Sequence, residues 1–114
     1  MLQLELDPRS GQHVAVVRCA GRIVFHEEAK SLAETVRPLL EKHEQVVLDL
    51  SAVHDVDSAG LGTFAFLHRY AKDHNRVIVL MNPAAFVRDL LELTHLDREL
   101  SVRNGVPVSA EAAA

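Results

Sequence analysis

The stretch Val46-Val-Leu-Asp-Leu-Ser-Ala-Val-His-Asp-Val-Asp-Ser-Ala-Gly-Leu-Gly62 decides the fold of this chain. Its opening run, Val46–Leu50, is short, rich in β-branched residues and followed by turn-forming residues, which predicts a buried strand. Two acids, Asp55 and Asp57, and a serine, Ser58, then lead into a glycine-containing helical pattern. A strand that delivers a serine to a helix N-terminus beside two carboxylates makes Ser58 the candidate functional centre.

Upstream of this stretch, alternating apolar residues predict a strand over Leu2–Leu6 and a second strand over His13–Ala20, together an antiparallel hairpin. Gly21–Glu27 is expected to form a loop or short strand. The pattern does not decide whether its apolar residues, Ile23, Val24 and Phe25, are buried or exposed. Cys19, the single cysteine, lies in the second predicted strand and is expected to be a buried free thiol.

A helix is predicted to begin at Glu27 and Glu28, whose carboxylates suit the positive end of the helix dipole. Apolar residues continue at helical spacing, but Pro38 interrupts them. Because an interior proline costs about 3 kcal/mol, we expect a kink or an early end near Val36.

Downstream, the pattern predicts two more helices and two more strands. The first helix, Ser58–Asp73, is apolar around most of its girth, so it is either deeply buried or presents a face to a partner. The remaining elements are a strand at Arg76–Met81, a helix from Asn82 (N-cap) and Pro83 (first position) to about Thr94-His95, a short strand within Glu99–Arg103, and a short helical tail over Ser109–Ala114.

The element order is therefore β-β-α-β-α-β-α-β. Continuous apolar strands between helices indicate an α/β fold with a mixed sheet of four to five strands, covered by three to four helices. The length of 114 residues fits one domain, which we assign to residues 1–108, followed by a short Ala-rich tail over residues 109–114.

Composition excludes several function classes. Twelve basic and sixteen acidic residues give a net charge of −4 without any basic block, which argues against direct binding of nucleic acid. The N-terminal sequence lacks the features of a signal peptide, and no apolar run approaches the roughly 20 residues of a membrane span. We therefore expect a cytoplasmic protein without membrane insertion.

The sequence offers no convincing catalytic or metal site. Histidines occur at positions 13, 26, 43, 54, 68, 74 and 95, without the spacing that places two ligands on one helical turn. Ser58 lacks a Gly-x-Ser-x-Gly elbow, and no phosphate-binding glycine loop is present. A receiver-like domain with Asp49 as phosphoacceptor would need an acidic pair after the first strand, which is missing. We predict no enzyme activity, no cofactor and no metal.

Ser58 has a purely structural interpretation, because a Ser or Asp before a helix commonly serves as its N-cap. Its neighbours favour a functional one. The run Val56-Asp-Ser-Ala-Gly-Leu-Gly62 resembles the signature of the STAS domain as found in bacterial anti-sigma factor antagonists. The resemblance extends from about Leu4 to Val102 and includes Arg76-Val-Ile-Val-Leu and Phe86-Val-Arg-Asp-Leu-Leu-Glu-Leu-Thr.

The resemblance implies an anti-sigma factor antagonist. The unphosphorylated chain would bind an anti-sigma factor that is a serine kinase and so free a sigma factor, and phosphorylation of Ser58 would end binding. The implied partner-binding residues are Arg22, His26, Asp55, Asp57, Ser58, Ala59, Gly60, Leu61 and Gly62. Gly60, Leu61 and Gly62 would keep the helix N-terminus open for docking. The chain would be a monomer or weak dimer.

Two departures from the family pattern stand out. The loop Gly21-Arg-Ile-Val-Phe-His26 lacks the acidic residue that the family often has there, which could alter binding or phosphorylation. His95 replaces a common glycine after the third helix, so the helix must end without glycine's freedom at positive φ.

Two alternatives stay open. The chain could be a STAS subunit of another assembly, such as a lipid-transport ATPase complex or a stressosome-like signalling particle, without regulated phosphorylation. Gly62 slightly favours the antagonist. A domain that binds a small anionic ligand at the same helix N-terminus is the third possibility.

Overall fold

Five strands form one mixed sheet in the computed structural model, which describes residues 2–8 and 10–105. The strands are β1 (Leu2–Leu6), β2 (Val14–Ile23), β3 (Gln45–Val56), β4 (Val77–Met81) and β5 (Ser101–Arg103), and they lie in this order across the sheet. The helices are α1 (Phe25–Lys42), α2 (Ser58–Asp73), α3 (Ala85–Leu93) and a short 3₁₀ helix at Leu96–Arg98. The predicted α/β fold and element order are confirmed. The predicted tail, 109–114, lies outside the described residues.

The strand that begins the deciding stretch, β3, is the central strand of the sheet. It pairs in parallel with β2 and with β4, while β1 pairs with β2 in an antiparallel hairpin, as predicted. Alternate residues of a strand point to opposite faces, and both faces of β3 are buried over its apolar first half, Val46–Leu50. Val46, Leu48 and Leu50 join the main core with the helices, whereas Val47 belongs to a second buried cluster. Burial on both faces explains why this segment is continuously apolar.

Both β2 and β3 are longer than predicted. Their parallel pairing continues through two register shifts, between Arg18 and Ala20 and between Gly21 and Arg22, until Ile23 lies opposite Val56. Residues 21–23, predicted as loop or short strand, are therefore the end of β2. The extension brings the carboxyl ends of β2 and β3 to the same edge of the sheet.

The prediction that α1 kinks or ends early near Val36 is wrong as to its end, because the helix runs from Phe25 to Lys42 with Pro38 inside. Buried residues on both sides of the proline, Ala29, Leu32, Val36 and Leu40, face the core. Pro38 itself is exposed. Packing of this apolar stripe outweighs the local cost of the proline.

The predicted start of the third helix is also wrong. Asn82 has φ 53° and its backbone N–H donates to the carbonyl of Arg103 at 2.8 Å. Its side chain accepts the Gly105 N–H at 2.7 Å and donates to the Gly105 carbonyl. Asn82 therefore joins the end of β4 to the end of β5, and α3 begins three residues later at Ala85.

The end of α3 agrees with prediction, since the helix finishes at Leu93 and Thr94 caps it. His95 adopts φ 61°, so a histidine occupies the left-handed conformation for which glycine is the usual residue. Among the described residues, no helix combines the length and apolar character that crossing a membrane requires.

Candidate functional site

The candidate site lies at the end of the sheet where the carboxyl ends of β2 and β3 meet, and where β3 leads into α2. Val56 ends β3, Asp57 is the N-cap of α2, and Ser58 is its first helical residue. Because β2 runs parallel to β3 and ends at Ile23, the first turn of α1 starts at the same end. Two helix N-termini therefore meet beside Ser58.

The carboxylate of Asp57 caps both of these helices. Its Oδ1 accepts the Gly60 N–H of α2 at 3.1 Å, and its Oδ2 accepts the Phe25 N–H of α1 at 2.9 Å. The backbone strengthens the junction, since the Asp57 carbonyl accepts the Leu61 N–H at 3.0 Å. The N-cap is thus Asp57, and the interpretation of Ser58 as the cap is wrong.

These hydrogen bonds also fix the charge of Asp57. The Phe25 N–H, and after it the Gly60 N–H, lowers the pKa of the Asp57 carboxyl below its usual 3.8, because each stabilises the ionised form. Asp57 is therefore a carboxylate at neutral pH, and both of its oxygens are engaged.

Ser58 is left accessible by this arrangement. Its side chain is exposed, and within the described part of the chain no hydrogen bond engages its hydroxyl. The hydroxyl lies at a helix N-terminus, where unpaired N–H groups and the helix dipole favour added negative charge. The position of this hydroxyl would therefore stabilise an anionic group attached to it.

The two glycines of the motif have opposite surroundings. A β-carbon on Gly60 would stand 2.3 Å from the carbonyl oxygen of Ile23 and 2.8 Å from Cγ1 of Val56. A β-carbon on Gly62 would meet no atom within 4 Å. Gly60 thus permits close approach of α2 to the end of β2, while Gly62 lies on the open side of the helix, one turn after Ser58.

All nine predicted site residues lie at this carboxyl end of β2 and β3, but they differ in how far they are buried. Gly60 and Leu61 are buried beneath this surface. Arg22 and Asp55 are half-buried partners across the β2–β3 ladder, and His26 is exposed in the first turn of α1. Ala59 and Asp57 are half-buried beside Ser58.

The sequence interpretation left Phe25 undecided, and the structure makes it a prominent feature of the site. Its two predecessors, Ile23 and Val24, are buried, whereas the Phe25 side chain is 67% exposed. Its backbone has φ 64°, a conformation that costs an L-residue roughly 1–2 kcal/mol. The apolar run after Gly21 was the only signal for it in the sequence, and that run does not reveal which member points outward.

The loop Gly21–His26, which lacks the acidic residue common in the family, is contacted by a carboxylate from α1. Oε1 of Glu28, in the first turn of α1, accepts the Val24 N–H at 3.2 Å.

The other chemical candidates lie elsewhere or are inert. Cys19 is buried, and burial, with a smaller effect of Asp49, raises the pKa of its thiol to about 12. Asp49 lies within β3, seven residues before its end, and accepts bonds from the Ser51 N–H at 3.0 Å and the Ser51 hydroxyl at 2.8 Å. Residues 2–8 and 10–105 contain no group of three or more potential ligands arranged to hold a metal ion.

Comparison with known proteins gives a consistent result. The model of the STAS domain family matches residues 6–109. The anti-sigma factor antagonist SpoIIAA in its unphosphorylated form is 16% identical with a TM-score of 0.75, over 94% of this chain and 90% of that one. The phosphorylated form of the Bacillus cell fate determinant SpoIIAA is 16% identical with a TM-score of 0.70, over 94% and 93%.

An anti-sigma factor antagonist from Mycobacterium paratuberculosis is 23% identical with a TM-score of 0.71, over 99% of this chain and 92% of that one. At these identities the solved structures establish a shared fold.

Proposed function

Because the chain belongs to the STAS domain family, we propose that it is an anti-sigma factor antagonist regulated at Ser58. In its unmodified state it binds an anti-sigma factor that is a serine kinase, and a sigma factor is thereby freed. Phosphorylation of Ser58 by that kinase ends the interaction. The chain is then a substrate and regulator without activity of its own, and it acts in the cytoplasm as a monomer or weak dimer.

One observation carries the proposal: Asp57 performs the capping, so the exposed Ser58 hydroxyl has no structural task among the described residues. The solved SpoIIAA, which has the same fold, exists in both unphosphorylated and phosphorylated forms. The proposed contact surface surrounds Ser58 and includes Arg22, His26, Asp55, Ala59 and Gly62, above the supporting Gly60 and Leu61.

The proposed switch acts on binding and leaves the fold intact. A phosphate adds about −1.5 to −2 charges beside Asp55 and Asp57. The helix N-terminus tolerates this charge, but a docked partner would meet bulk and repulsion in the centre of the interface. Since each 1.4 kcal/mol changes affinity about tenfold, a loss of a few kcal/mol would release the partner.

The test is incubation of the purified chain with each serine-kinase anti-sigma factor of its own genome and ATP, followed by mapping of the phosphosite by mass. We expect phosphate on Ser58, none on Ser58→Ala, and unchanged labelling of Ser31→Ala, a control that alters an exposed serine within α1. Ser58→Asp should bind the kinase at least about tenfold more weakly than the unsubstituted chain.

Unchanged binding by Ser58→Asp would contradict the switch. Absence of labelling with every kinase, together with tight binding to a transporter or signalling-particle subunit, would favour the alternative of a STAS subunit in another assembly.

A further inference from the structure

Phe25 is an exposed aromatic residue whose backbone is bonded to Asp57, the residue that precedes the proposed phosphorylation site. Six large apolar side chains are exposed in the described part of the chain, and Phe25 is the one whose backbone N–H is bonded to Asp57. The same carboxylate caps the helix that begins with Ser58. Phe25 and Ser58 are therefore held by one group, although they lie on different helices.

Neither property of Phe25 benefits the folded chain alone. An aromatic side chain that is 67% exposed contributes little to the core, and φ 64° is unfavourable for any residue with a β-carbon. Glycine would adopt this conformation without strain. Large exposed aromatic residues are, however, the residue type that most often anchors a protein–protein interface, where they fill an apolar pocket of the partner.

We propose that Phe25 is the apolar anchor by which the anti-sigma kinase engages this chain, with its backbone fixed by the bond between its N–H and Asp57. The proposal rests on the proposed function and specifies its recognition step. The expected partner surface is an apolar pocket adjacent to the kinase's phosphate-transfer site.

The choice of the kinase as the partner of Phe25 follows from the requirements of phosphoryl transfer. Transfer of a phosphoryl group requires the acceptor hydroxyl to be held in a fixed position relative to ATP. An anchor that shares a cap with the acceptor helix fixes Ser58 whenever Phe25 is docked. A phosphate on Ser58 would place charge beside Asp57 and Phe25, so burial of the ring in the partner would become unfavourable in the modified state.

The test compares Phe25→Ala and Phe25→Gly with Phe86→Ala, a control that removes a similarly exposed phenylalanine (52%) from α3. The probe is the kinase that labels Ser58, and the measurements are its Kd, the rate of Ser58 phosphorylation as a function of chain concentration, and the Tm of each variant. Both Phe25 variants should weaken binding at least about tenfold and raise KM more than they lower kcat. Phe86→Ala should bind within about twofold of the unsubstituted chain.

The Tm separates recognition from a merely structural role. Phe25→Gly should melt at the same temperature as the unsubstituted chain or higher, because glycine relieves the positive φ. Binding of Phe25→Gly within about twofold of the unsubstituted chain would overturn the proposal that Phe25 is an anchor, as would a loss of binding that accompanies a fall in Tm. Either outcome would leave the proposed function standing. If the unsubstituted chain binds no kinase, the proposed function fails and the anchor fails with it.

Discussion

At the scale of single residues, neighbouring members of the motif Val56–Gly62 have different structural roles. The sequence places Asp57, Ser58, Gly60 and Gly62 within six positions but does not distinguish cap from acceptor or buried glycine from open glycine. The geometry assigns each one: Asp57 caps α2, the Ser58 hydroxyl has no hydrogen bond to the described residues, Gly60 permits close approach of the end of β2, and Gly62 faces solvent.

Substitution of the two glycines by alanine should shift stability in opposite directions. Gly60→Ala should lower the free energy of unfolding by about 1–3 kcal/mol or more, since its β-carbon would overlap the Ile23 carbonyl at 2.3 Å. Gly62→Ala should raise it by about 0.5–1 kcal/mol, because alanine is the better helix former and the space is open. Urea unfolding of both variants measures the difference, and a loss for Gly62→Ala as large as that for Gly60→Ala would contradict it.

The residues whose roles the sequence did not reveal depend on partners that are distant along the chain. The outward position of Phe25 is coupled to a hydrogen bond with Asp57, which lies 32 residues further along the chain. The role of Asn82 likewise depends on Gly105, 23 residues away. Local patterns predict an N-cap before Pro83, but tertiary bonding to the end of β5 takes Asn82 away from that task.

At the scale of elements, apolar periodicity predicted which segments form helices and strands, and it was least reliable at their ends. The α1 helix is the clearest example, since Pro38 predicts a break and the buried stripe on both sides of it continues. The bulge-containing pairing of β2 with β3 similarly extends both strands beyond the apolar runs that identified them. Element ends are decided by pairing and packing, which short windows of sequence do not contain.

Pro38→Ala should therefore stabilise the protein. In a continuous helix Pro38 cannot donate to the carbonyl of Glu34, and its ring crowds the preceding turn. Alanine restores the hydrogen bond, and we expect an increase of about 1–3 kcal/mol in the free energy of unfolding. Thr35→Ala, an exposed position of the same helix, is the control and should gain less than about 0.7 kcal/mol. A decrease for Pro38→Ala would mean that the helix depends on its proline.

At the scale of the whole molecule, the proposed phosphorylation site lies outside the core, although it directly follows the central strand of the sheet. The first half of the central strand β3 has a neighbouring strand on each side and is buried on both faces, whereas β1 and β5 are the edge strands. Continuous apolar strands and their alternation with helices were enough to predict this mixed sheet. Ser58 lies just beyond β3, so the site is attached to the best-protected strand while its hydroxyl remains outside.

Hydrogen exchange should display this division. Amides of β3 should exchange most slowly, through global unfolding, and those of the half-exposed β1 much faster. Comparison of Ser58→Asp with its neutral control, Ser58→Ala, should leave β3 unchanged and confine differences to residues 23–28 and 57–62, because the added charge acts on the two helix N-termini that Asp57 joins. Exchange measured by mass spectrometry or NMR resolves these segments. Faster exchange throughout β3 and β4 in Ser58→Asp would instead indicate that charge at Ser58 destabilises the whole fold, and a switch confined to the binding surface would then be wrong.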